Sequence, residues 1–264
     1  MPKPKLYQGK TVRQWVALLD THVDNQKQRE VASWALVQIG VAALPDLERI
    51  LAWRLDPWET VRDYGVRFRF VKPREVNPLE LQSRACEAAY DLAERARVDI
   101  GRLVPHLQYH FTNGTYADVS SGRALADAGP AGISVLTNLL FAGGRTVRDN
   151  AGAALGHARR RPEVIEALLR SANSEPDPML RANAVLYLSG SGGSAQQMVP
   201  LGLRLLKSDD GYQRWAGASL LLQYRAVPEA RAALASAISD PDQRVRSVSE
   251  RALNESAARE GNRK

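Results

Sequence analysis

Cysteine is nearly absent from this chain. Cys86 is the single one in 264 residues, which excludes an intramolecular disulfide and a cysteine-built zinc site and fits a reducing, cytoplasmic compartment. Aromatic residues are also scarce, at 6%, beside abundant Ala and Leu. That balance disfavours a β-sandwich and favours packed helices. No apolar run approaches the roughly 18 residues that span a bilayer, and Met1 to Lys5 lead into no apolar signal segment, so no membrane association and no export by a standard signal are expected. What is present suits a folded chain: 44% hydrophobic and 25% charged residues, with a net charge of +7. The excess of base permits attraction to nucleic acid or to an acidic protein and selects neither. Part of it is local, in Lys3, Lys5, Lys10 and Arg13 and in the run Arg159-Arg160-Arg161.

One pattern recurs along the chain: Arg or another residue, a small residue three positions on, and Leu four positions after that. It reads Arg29/Ala32/Leu36, Ala85/Ala88/Leu92, Asp118/Ser121/Leu125, Arg148/Ala151/Leu155, Arg181/Ala184/Leu188, Gln213/Ala216/Leu220 and Arg246/Ser249/Leu253. The intervals between these leucines are 56, 33, 30, 33, 32 and 33 residues, a period that means stacked structural repeats. Offsets of three, four and seven share one helical face. A second apolar pair follows most leucines, as in Leu47/Leu51, Leu103/Leu107 and Leu136/Leu140, so each unit reads as a helical hairpin. Gly40, Gly129 and Gly192 suit left-handed turns after the first helices, and Pro45, Pro130, Pro162 and Pro228 suit the starts of the second. Asp177, Asp209 and Asp242 stand where N-caps of first helices belong.

Segments such as Arg29-Glu-Val-Ala-Ser-Trp-Ala-Leu36 and Asp240-Pro-Asp-Gln-Arg-Val-Arg-Ser-Val-Ser-Glu-Arg-Ala-Leu253 resemble HEAT repeats, and more closely the short bacterial HEAT-like repeats of the phycobilin lyase type. The Trp-x2-Leu-Gly signature of tetratricopeptide repeats and the Thr-Pro-Leu-His of ankyrin repeats are missing. The expected fold is therefore all-α: a solenoid of about six HEAT-like hairpins over residues 1–257, with a polar tail at 258–264. An amphipathic helix at Val12, Trp15, Val16 and Leu19 caps its first end.

The long first interval marks an insertion at 56–79. It gathers Trp58, Tyr64, Phe68 and Phe70 beside Arg62, Arg67 and Arg69, and Val66 to Phe70 alternate as a strand would. An insertion in a solenoid emerges on one face and can serve recognition, or it can fold back as cover. On the second helices, Arg49, His110, Arg170 and Arg204 are expected to be exposed on a concave ridge.

No catalytic set emerges. His106 and His110 share a helix face at i, i+4 but have no third ligand, so no metal is assigned. Cys86 lies among alanines as a buried hydrophobe would. Ser189-Gly-Ser-Gly-Gly-Ser194 lacks the Lys of a phosphate loop. No cofactor is expected. The sequence thus predicts a non-catalytic scaffold or adaptor for a protein partner, bound through the ridge and the insertion. The alternative is nucleic-acid binding: the repeat type and charge also resemble the HEAT-like DNA alkylpurine glycosylases, with Trp53, Arg54, Asp56 and Trp58 as the nearest cluster.

Overall fold

The structure is a computed structural model that describes residues 6–19, 26–53, 77–113, 118–158 and 160–261. Within them the backbone is helical and forms no strand; an isolated bridge joins Tyr7 and Lys10. The fold is an all-α solenoid of HEAT-like hairpins. By internal packing it divides into two compact units, Met1–Val135 and Leu136–Lys264.

In the first unit a short helix α1 (Val12–Ala17) precedes the hairpins α2 (Gln26–Ile39) with α3 (Leu44–Ala52) and α4 (Pro78–Glu94) with α5 (Val104–Asn113); α6 (Asp118–Asp127) and the start of α7 (Gly129–Ala142) follow. Thr11 opens α1 with a reciprocal capping box to Gln14. Val12, Trp15, Val16 and Leu19 are all buried, as the capping role requires, and Trp15 Nε1 donates to the Tyr7 carbonyl at 3.0 Å. Asn77 caps α4, its Oδ1 accepting from the Leu79 amide at 2.9 Å, so residues 77–79 belong to a helix and not to the insertion expected there.

The second unit holds the end of α7, then α8 (Arg145–His157) with α9 (Pro162–Ser174), α10 (Pro178–Leu188) with α11 (Ala195–Leu205), α12 (Gly211–Gln223) with α13 (Pro228–Ser236), and α14 (Gln243–Gly261). Helix α14 runs through Gly261, into the stretch expected to be a polar tail. First helices α8, α10, α12 and α14 pack in one layer, each on the next. Leu36, Leu125, Leu155, Leu188 and Leu220 are essentially without solvent contact, which the periodic pattern demands.

The arginine of the pattern has a structural reason. Arg148 donates to the Gly143 carbonyl at 3.0 Å, Arg181 to Glu175 at 2.7 Å, Arg214 to Ser208 at 2.9 Å and Arg246 to Asp240 at 2.7 Å. Each guanidinium satisfies carbonyls released near the end of the preceding helix. In α12 the arginine with this role is Arg214, one position after the Gln213 read from the sequence, while Ala216 and Leu220 of that triplet are fully buried. The cap expected at Asp209 is likewise Asp210, which accepts from the Gln213 amide at 2.9 Å.

Gly40, Gly129 and Gly192 adopt φ of 60°, 74° and 79°, the left-handed turn that glycine enters at little cost. Where no glycine is available, Arg97 and Arg160 enter the same region at 54° and 74°.

Candidate functional site

Helix α3 places Asp46, Arg49, Ile50 and Trp53 on one face, since their spacing is three, four and seven. That face is opposed by Arg13 of α1 and by Pro78 and Leu81 of α4, and a cleft of about 260 Å³ lies between them. Its floor is apolar: Ile50 and Leu81 are buried. Trp53, half-buried, closes α3 in an extended conformation. The buried side chain of Gln82 holds this end of the helix, donating from Nε2 to the Trp53 carbonyl at 2.6 Å and the Ile50 carbonyl at 3.3 Å. Arg84 donates to the Ala17 carbonyl and so ties α4 to the end of α1. Three elements are thereby fixed around the cleft by hydrogen bonds to carbonyls near helix ends.

The charge in the cleft is asymmetric. Arg49 Nη1 pairs with Asp46 Oδ1 at 2.7 Å, one turn away on the same helix. No described residue is ion-paired with Arg13, which stands exposed at the opposite wall. Among the described lining residues there are thus two guanidiniums, Arg13 and Arg49, and one carboxylate, Asp46.

The other residues singled out from the sequence do not converge here. Arg170 stacks on the half-exposed Phe141 ring, its guanidinium carbon 3.7 Å from the centroid, and Arg204 donates to Asn173 Oδ1 at 2.7 Å. Both are exposed residues of the second unit. His110 corrects an expectation: it is not an exposed ridge residue but only 5% accessible, with Nε2 2.9 Å from the Leu51 carbonyl. A carbonyl can only accept, so Nε2 carries the proton and the ring is a core group joining α5 to α3. Trp58, Arg62, Tyr64, Arg67, Phe68, Arg69 and Phe70 lie outside the described residues, as do Arg54 and Asp56. Burial pushes the Cys86 thiol up to about 12, which keeps it protonated and unreactive at neutral pH.

Sequence reasoning selected Arg49, named Arg13 and Trp53 only in other clusters, and did not bring these residues together. Arg13, Asp46, Ile50, Pro78 and Leu81 come from three helices with no common motif. The one available signal was the face periodicity of α3, which continues through Trp53.

Neither a protein-family model nor a curated protein sequence matches the chain. Among solved structures, human deoxyhypusine hydroxylase in complex with glycerol aligns over 92% of this chain and 83% of its own, at 17% identity and a TM-score of 0.38. The likeness concerns fold alone. The aligned protein is an enzyme, against the expectation of a non-catalytic scaffold, and that expectation is withdrawn. No helix among the described residues is long and apolar enough to cross a membrane.

Proposed function

We propose that the first unit binds a small organic ligand in the cleft at Trp53. The observation that carries this reading is the combination, around one concavity, of an apolar floor, a half-buried indole and Arg13, which is ion-paired with no described residue. Ligand sites are typically of this kind, apolar clefts with a few fixed polar groups. At about 260 Å³ the cleft suits a compact molecule of one or two rings.

The resemblance to short bacterial repeats of the phycobilin lyase type belongs to the same proposal, supported by the period of 32 or 33 residues in the later repeats. So does a cytoplasmic location, supported by the free and buried state of Cys86.

The test is thermal unfolding of the whole chain with a set of small aromatic compounds, neutral and charged. A ligand at a hundred times its Kd stabilises by about 2.7 kcal/mol, a readily measured rise in Tm. The rise is expected to disappear in Trp53→Ala and to persist in Trp215→Ala, whose indole lies in the second unit. Equal rises in both variants, or none with wild type, would overturn the reading.

A further inference from the structure

Away from the cleft, we infer that Met179 is a modification site: a hydroperoxide oxidises its thioether to the sulfoxide, and Arg145 holds the new oxygen, so that oxidation tightens the joint between α8 and α10. The susceptibility of a methionine follows its exposure. Met179, at the start of α10, is 49% accessible, whereas Met198 in α11 is fully buried. A peroxide in solution therefore reaches the first sulfur and not the second.

A donor already faces the exposed sulfur. Arg145 of α8 donates from Nε to Asp177 Oδ2 at 2.6 Å and from Nη2 to Met179 Sδ at 3.5 Å. The same carboxylate caps α10, its Oδ1 accepting from the Met179 and Leu180 amides at 2.9 and 3.3 Å. One guanidinium of α8 thus reaches both the cap of α10 and the sulfur two residues further on.

The step needs no other reactant. A sulfur lone pair attacks one oxygen of hydrogen peroxide; the S–O bond forms as the O–O bond breaks, and the proton of the transferred oxygen goes to the departing hydroxide, which leaves as water. Sulfur loses two electrons and the peroxide gains them. A thioether is a weak acceptor, whereas the sulfoxide is polar, and bonds from a charged donor are the strong ones. In a core the added oxygen would disrupt packing. Here it arises on an exposed side chain, beside Arg145 and near the positive end of the α10 dipole, so the contact gains.

The full chain is treated with hydrogen peroxide and mapped by peptide mass. The Met179 peptide should gain one oxygen roughly tenfold or more faster than the Met198 peptide. Hydrogen exchange over the first turn of α10 is then compared before and after oxidation in wild type, Arg145→Gln and Met179→Leu. Arg145 is exposed, so its substitution is expected to leave the helical content unchanged, which circular dichroism checks. In wild type, oxidation should slow this exchange by roughly threefold or more, and a methionine sulfoxide reductase should restore the original rate. Neither variant should show the slowing. Oxidation of Met198 as fast as Met179 would overturn the assignment of the site. Exchange unchanged or faster in the oxidised wild type would overturn the tightening, and slowing that survives Arg145→Gln would overturn the role given to Arg145.

Discussion

A single glycine shows how closely the repeats are fitted. Helices α11 and α12 meet at Gly202 and Gly217: a Cβ on Gly217 would lie 2.8 Å from the Gly202 carbonyl, 2.9 Å from Leu205 Cβ and 3.0 Å from the Leu206 nitrogen. These are mostly backbone atoms that no rotamer change can move. Alanine for glycine inside a helix ordinarily gains about 1 kcal/mol; here the sign reverses, and Gly217→Ala should lose about 1–3 kcal/mol in urea denaturation through overpacking. Gly144→Ala, at an N-cap with nothing within 4 Å of the added atom, should cost only about 0.5 kcal/mol, the difference between glycine and alanine as caps. Equal effects of the two would refute the close approach. The sequence made small residues at this position legible through the recurring triplet, yet its register slipped at Gln213. An arginine reveals its partner only in three dimensions, and the carbonyls that Arg214 satisfies belong to the preceding turn. His110 was misplaced for a related reason: a polar side chain is read as exposed unless the sequence names its acceptor, and a backbone carbonyl such as that of Leu51 has no sequence signature.

Between elements, the second unit is joined by the pairs Arg145–Asp177 and Arg214–Asp240 and by a ladder of hydrogen bonds across first helices, while Arg244 pairs with Asp242 at the start of its own helix. Asn183 Nδ2 and the Tyr187 hydroxyl donate to Asp149 Oδ1 at 2.9 and 2.8 Å, and the Tyr212 hydroxyl donates to Asn183 Oδ1 at 2.6 Å. Burial, reinforced by the hydrogen bond to Asp149, raises the Tyr187 hydroxyl above the usual tyrosine range, so the ladder keeps its donor through alkaline conditions. Acid acts on the other contacts. Hydrogen bonds from Arg145, Arg214 and Arg244 hold Asp177, Asp240 and Asp242 below the ordinary carboxylate range, Asp242 at about 2. Unfolded aspartates take up protons near ~3.9. Stability contributed by these groups is therefore complete above that value and is lost as pH falls toward 2. The urea midpoint of the chain should drop across this window, and less steeply in Asp240→Asn. A midpoint level from pH 4 to 2 would show that the pairs contribute nothing.

At the scale of the molecule, repeat stacking makes stability local. Leu155 is fully buried in α8, and Leu155→Ala should cost about 2–5 kcal/mol. The accelerated hydrogen exchange should centre on α8 and on α9 and α10 packed against it, because each repeat is stabilised chiefly by its neighbours; uniform acceleration along the chain would argue against that. This level was the most legible in sequence, since a leucine recurring at 30 to 33 residues over the later repeats fixes element type and order together. The cleft was legible only in part. Its α3 face follows from periodicity, but the approach of Arg13 and Leu81 depends on how α1 and α4 pack beside α3, which no spacing in the chain encodes.

The claim that this cleft holds a small organic ligand is tested most directly by hydrogen exchange of the full chain with and without a saturating concentration of a compound that raises its Tm. Protection should rise in α1, in α3 from Asp46 to Trp53 and in the first turns of α4, and remain unchanged in α8 to α14. Protection confined to the second unit, or no change with the ligand bound, would contradict it.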